Sequence, residues 1–331
     1  MNEMDMNNQD RNVALNDRVV AGPDVVNVAV PTREEAVSQG SRQAEKHLSM
    51  FALYRRRFMR NKPAVAGLII FVVLAFFAVF GNMIGNRWTF EYLDFTALTA
   101  PPSPRHWFGT TVGGNDLYAQ VIHGLGRSLI IALVVSIVTT AISAFVGAAA
   151  AFLGGTPEKI ILTIIHFMLI IPSFLLIAML VAGSGGDWKI LIGVMILFGW
   201  MYQARVIWSL AISIREREYV TAARFMGVPG WKIISKHIVP NIGSLLIINA
   251  TLGVVSTVMS ETGLSFLGLG VQLPDVSLGN LLTAGAASVQ SAPWIFFFPA
   301  GVLMLLTVSM ALIADGLRDA LDPNSSAGGQ L

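Results

Sequence analysis

Apolar positions along the chain gather into six long runs divided by polar or glycine- and proline-rich stretches. They are Pro63 to about Ile84, about Ser128 to Leu153, about Ile160 to Val181, about Ile190 to Ala211, Ile242 to about Glu261, and Trp294 to about Ala314. Each approaches the ~20 residues an α-helix needs to cross a hydrocarbon core. The pattern therefore predicts an all-α membrane protein with six transmembrane helices in a domain over residues 63–318. Residues 1–48 are polar, mixed in charge and without a sustained period, which reads as a disordered tail. Residues 49–62 form a basic juxtamembrane anchor, and 319–331 a second tail.

The interruptions carry their own patterns. In the loop 86–127, Leu117, Val121, Ile122 and Leu125 make a helix-spaced apolar face, which predicts a helix lying on the membrane surface. In the loop 265–293, glycines and Pro274 argue against one surface helix, and Leu278 to Ala287 suits a re-entrant stretch packed against protein. The second span is dense in small residues, Gly147 and Ala148 to Ala151, which let helices approach closely. Within the loop 212–241, Tyr219 to Pro240 predicts two short helices. Tyr219, Ala222, Ala223 and Met226 share the face of the first. Gly227 suits a left-handed cap, and Pro229 blocks continuation. Trp231, Ile234 and Ile238 give the second helix a stripe that runs up to Pro240.

Composition agrees with a membrane class, since charged residues are 13% of the chain against roughly 25% in soluble domains. Charge placement adds an orientation. Seventeen Lys and Arg fall on the side of the termini and the 212–241 loop, against four on the other, with Arg205 inside the fourth span. By the positive-inside rule both termini and that loop are cytoplasmic, and the cluster Arg55, Arg56, Arg57, Arg60 and Lys62 meets lipid headgroups, not nucleic acid. With no cysteine, disulfides and thiolate chemistry are excluded. There is no Walker A spacing, so ATP-driven work would need another chain, and the five histidines lack metal-site spacing. Three polar residues inside spans are candidates. His166 either lines a pathway or bonds a backbone carbonyl, Asn249 joins helices, and Glu261 near the external interface is a structural carboxylate or a substrate contact. The scarcity of ionisable groups near the bilayer centre argues against an ion-coupled carrier.

Thr221-Ala222-Ala223, three residues, Gly227, and on to His237-Ile238-Val239-Pro240 resembles the EAA loop of ABC importer permeases, with Thr221 where Glu is usual. Tyr54 to Phe71, His106 to Leu117, Ser260 to Pro274 and Ala314 to Pro323 are similar to segments of the peptide/nickel (OppC/DppC-type) subfamily, with Thr111 for Asp and Asn115 for Arg. The resemblance implies a type I importer architecture and a non-catalytic subunit of the bacterial or archaeal cell (inner) membrane. The loop would be a coupling helix docking on one or two cytoplasmic ATP-binding subunits through Glu218, Thr221, Ala222, Ala223, Gly227 and Pro240. Glu218 would supply the helix-start charge that Thr221 lacks. Small side chains at Ala222 and Ala223 would let the partner approach. A second related permease and an extracytoplasmic substrate-binding protein complete the implied partners. ATP and Mg would sit on partner subunits and no cofactor on this chain. Oligopeptides or dipeptides are the implied cargo, with nickel, glutathione or another small solute as the alternative within the family. A self-sufficient channel or secondary carrier is the alternative outside it.

Overall fold

The computed structural model describes residues 50–84 and 88–322, and the expected disordered tail and the last residues of the chain lie outside them. Among the described residues the structure is helical, with two isolated bridges, Leu93 to Asn115 and Thr110 to Asp116, and no strand. The elements are α1 (Met50–Arg60), α2 (Lys62–Ile84), α3 (Leu117–Leu153), α4 (Gly155–Ile170), α5 (Ser173–Ala182), α6 (Trp188–Gly199) and α7 (Met201–Arg215). They continue as α8 (Glu218–Phe225), α9 (Gly230–Ile233), a π-helical turn (Ile234–Ile238), α10 (Val239–Asn241), α11 (Gly243–Phe266), α12 (Leu278–Ser288) and α13 (Pro293–Leu321).

Five helical stretches are long and apolar enough to cross a membrane: α2, α3, α6 with α7, α11 and α13. The expected third span is not one rod. It is the pair α4 and α5, bent by 74°, and counts as a sixth span only when taken together. The break follows from Pro172, which cannot donate a backbone N–H and forces Ile171 into an extended conformation (φ −83°, ψ 125°).

Helix α3 is the centre of the bundle, packed against α7, α11, α2 and α6. Lipid supplies no hydrophobic drive between helices, so close approach has to come from small side chains. At Gly147 an added Cβ would sit 2.5 Å from the Ala204 carbonyl oxygen of α7. At Gly67 it would sit 2.8 Å from the Ser309 oxygen of α13. Ser136 of α3 donates its hydroxyl to the Ala250 carbonyl of α11.

The expected surface helix at Leu117 to Leu125 is instead the first turns of α3. Asp116 caps α3 by accepting from the Ala119 amide at 2.8 Å, and Leu117, Val121 and Leu125 are fully buried. They join the core cluster with Leu278, Leu281 and Leu282 of α12. A helix-spaced apolar stripe looks the same whether lipid or protein covers it, and here protein does. The short stretch expected at Leu278 to Ala287 is the helix α12.

The chain thus has two ends. One carries the loop 88–116, the α5–α6 turn, the segment 267–277 and α12. The opposite end carries α1, the α3–α4 turn and the knob made of α8, α9 and the π turn.

Candidate functional site

The knob is built on an apolar floor. Val220 and Ala223 of α8 are buried in one cluster with Ile233, Ile234 and Ile238, the end of α7 and Ala144, Ala148 and Ala151 of α3. The expected α8 face divides: Ala223 turns inward, whereas Tyr219, Ala222 and Met226 are exposed. The smallness of Ala223 therefore serves packing within this chain, and only Ala222 offers a small outer surface. Phe225, Met226 and Trp231 are 87%, 76% and 61% exposed, a concentration of large apolar side chains on a short polar segment. Such patches mark interaction surfaces.

Gly227 ends α8 with φ +75°, while the Val228 amide donates to Ala223 and the Gly227 amide to Arg224. Glu218 is the first residue of α8, where a carboxylate meets the helix dipole favourably. Pro240 does not stop the second helix as expected, and helical chain continues to Asn241. The π turn explains this. Pro240 has no N–H and its ring crowds the carbonyl four residues back, and widening the turn lets the Val239 amide reach the Ile234 oxygen. Asn241 donates its side-chain amide to the His237 carbonyl at 2.7 Å.

Within the spans lies a cavity of about 360 Å³ between α3, α5, α6, α7 and α11. Thr139, Thr140, Tyr202, Gln203, Asn249 and Ser256 supply hydroxyls and amides to its wall, together with Ser173, Thr257 and Ser260. No acidic or basic side chain lines it. Of the three intramembrane candidates only Asn249 belongs to it. The cavity's other polar residues escaped the sequence reading, although Asn249, Gly253, Ser256 and Ser260 recur at helical spacing and could have been found that way. His166 lies exposed on α4, away from the cavity.

Glu261 is buried, and its Oε1 accepts from Ser265 at 2.9 Å and Ser277 at 2.6 Å. Ser277 also caps α12, and Gly279 leaves the carboxylate room, since a Cβ there would lie 2.8 Å from Oε2. Glu261 thus pins α12 to α11 and makes no part of the cavity. Leaving a buried hydroxyl without its hydrogen-bond partner costs about 1–3 kcal/mol. Glu261→Ala is therefore expected to loosen α12 and speed labelling of a thiol introduced by Leu282→Cys, a position 4% exposed in a chain without native cysteine. Unchanged labelling would refute the pin.

At the loop end, His106 is buried between two carboxylates, with Nδ1 2.9 Å from Asp116 and Nε2 3.7 Å from Asp94. Hydrogen bonds from the Thr96 hydroxyl and amide, with Arg105 at 2.9 Å, hold Asp94 below the usual carboxylate range. Asp275 pairs with His123 at 2.8 Å and Arg127 at 2.7 Å, and the Arg127 guanidinium lies 4.1 Å from the Trp188 ring centre. Burial alone would raise Asp275, but His123, the Val276 amide and Arg127 outweigh it and lower the carboxyl from 3.8. With the folded value below the unfolded one, the stabilisation is full above the unfolded pKa and is lost as pH falls through the folded one. Proteolysis of segment 267–277 is thus expected to accelerate below about pH 4, and less steeply in Asp275→Asn.

The model of the binding-protein-dependent transport system inner membrane component matches residues 143–326, and that of the N-terminal TM domain of oligopeptide transport permease C matches residues 49–102. The chain is 43% identical over 272 residues to the oligopeptide transport system permease protein OppC of Mycobacterium tuberculosis (strain H37Rv), covering 82% of this chain and 93% of that protein. It is 32% identical over 280 residues to the oligopeptide transport system permease protein OppC of Bacillus subtilis (strain 168), covering 85% and 92%.

Proposed function

The chain belongs to the family of binding-protein-dependent transport system inner membrane components, and from that premise we propose that it is one of two membrane subunits of an ATP-driven oligopeptide importer. It is a multi-pass membrane protein and a non-catalytic permease subunit. In this reading it sits in the bacterial inner membrane with the knob end and both termini cytoplasmic. Separate ATP-binding subunits hold ATP and Mg, a related permease completes the pathway, and a substrate-binding protein delivers peptide at the loop end.

The observation that carries the reading is the cavity inside the spans, lined by hydroxyls and amides and by no charge. Peptides share a hydrogen-bonding backbone but differ in charge. A pathway that offers neutral donors and acceptors passes them without trapping any one sign, whereas a fixed charge at low dielectric would hold the opposite charge strongly. The exposed apolar knob supplies the second half of the mechanism. ATP binding by the docked subunits would move α8, and because α8 shares its floor with α3 and α7, that motion would reach two walls of the cavity.

The test is uptake of a labelled neutral tetrapeptide into proteoliposomes holding the complete complex, with binding protein and ATP outside and inside in turn. ATP-dependent accumulation is expected. Solute movement by this chain alone would overturn the reading in favour of a channel or carrier, and accumulation of nickel or glutathione without peptide would reassign the cargo.

A further inference from the structure

Beneath the exposed edge of α8 is a recess of about 420 Å³ formed by Phe152, Arg215, Val220, Thr221, Arg224 and Phe225. Two of its six residues are arginines and none is acidic. Arg215 spends one guanidinium nitrogen on the Ala151 carbonyl at 2.8 Å, near the end of α3, and has exposed Glu216 at 3.6 Å. Arg224 lies 5.7 Å from the Phe152 ring centre, and among the described residues no carboxylate lies within ion-pair distance of it. Glu218 does not line the recess and Glu216 reaches only Arg215, so among the described residues the charge of Arg224 is left uncompensated.

We propose that this recess receives an aspartate or glutamate side chain of the protein that docks on the knob, a proposal that rests on reading the knob as a docking surface. The shape of the recess fits that chemistry. Phe152, Val220 and Phe225 form an apolar collar suited to a methylene stem, and the two guanidiniums and the Thr221 hydroxyl can bind the carboxylate at its tip. The recess opens beside Phe225, and Met226 and Trp231 carry the exposed apolar surface further along the knob, so a partner covering them would dry the ion pair and strengthen it. A charged peg in a basic hole would also set the register in which the partner seats, which apolar contact alone fixes poorly.

The experiment uses the complete complex in lipid nanodiscs and measures retention of the ATP-binding subunits on washing. Arg224→Glu is expected to lower retention by at least about ten-fold, because reversing a desolvated charge costs more than screening recovers. Arg224→Lys should keep most of it. Scanning the acidic residues of the ATP-binding subunit to lysine should yield one position that restores Arg224→Glu and weakens the parent. Phe225→Ala reports on docking separately. If Phe225→Ala loses retention and Arg224→Glu does not, the recess proposal falls and the docking surface stands. If neither loses it, the docking surface falls as well. Failure of every acid-to-lysine change to restore Arg224→Glu overturns the carboxylate assignment. If retention depends on phosphatidylglycerol and Arg224→Glu abolishes only that dependence, the recess is a lipid headgroup site and the proposal is wrong.

Discussion

Gly147→Leu is expected to leave little folded protein to extract. The Cβ alone would stand 2.5 Å from the Ala204 carbonyl oxygen and 3.0 Å from the Ile207 Cβ. Both neighbours are fully buried on α7, and a backbone oxygen cannot swing aside as a side chain can. Overpacking typically costs about 1–3 kcal/mol where side chains can adjust, so a clash with backbone belongs at or above that upper value. The damage would spread, because α3 and α7 also form two walls of the intramembrane cavity and the floor of the knob. Monodispersity after detergent extraction is the measurement. Gly193→Leu is the control, since a Cβ at Gly193 meets nothing within 4 Å. Equal recovery of the two variants would show that the α3–α7 approach is not tight.

Gly227→Val should do the opposite, sparing the bundle and stopping transport. Nothing lies within 4 Å of a Cβ at Gly227, so no contact is lost or crowded. The cost is in the backbone. A φ of +75° is open to glycine and strongly disfavoured for a β-branched residue, at about 1–3 kcal/mol. The chain can relieve that strain by changing the angle between α8 and α9, which would turn Phe225 and Met226 away from Trp231. ATP-dependent peptide uptake is expected to fall by about ten-fold or more, the factor that 1.4 kcal/mol represents. Gly227→Asn, tolerated in left-handed caps, should lose far less. Equal losses in both would mean that the side chain itself, and not the turn, obstructs docking.

Much of this was readable in advance. The apolar runs located the spans, and Gly227 with Pro229 located the turn of the knob. Asp116 caps α3 and grips His106, yet from the sequence alone His106 was one unplaced histidine among five. Its partners Asp94 and Asp116 lie twelve residues before it and ten after, distances at which no local rule pairs side chains. Glu261 stood in the sequence as a structural carboxylate or a substrate contact, and the serines that bind it come from one turn onward in α11 and from the start of α12. Pro172 lies inside the apolar run that was read as one span, and neither the break there nor its 74° angle was part of that reading.

Which segments cross the membrane follows from local composition, because ~20 apolar residues and an internally satisfied backbone leave a lipid-exposed segment few other states. Helix starts and stops are equally local, with Asp116 opening α3, Pro172 breaking α4 from α5 and Gly227 closing α8. Which side of each helix meets protein is set instead by how the helices pack together. In a span both faces are apolar, so hydrophobic periodicity is silent about orientation. That is why Leu117, Val121 and Leu125 read as lipid-facing and proved to be core, and why Ala222 and Ala223, adjacent and identical, face opposite environments. Burial of Ala223 against α7 and α3 ties the knob to the cavity walls, and that tie is a property of three helices together.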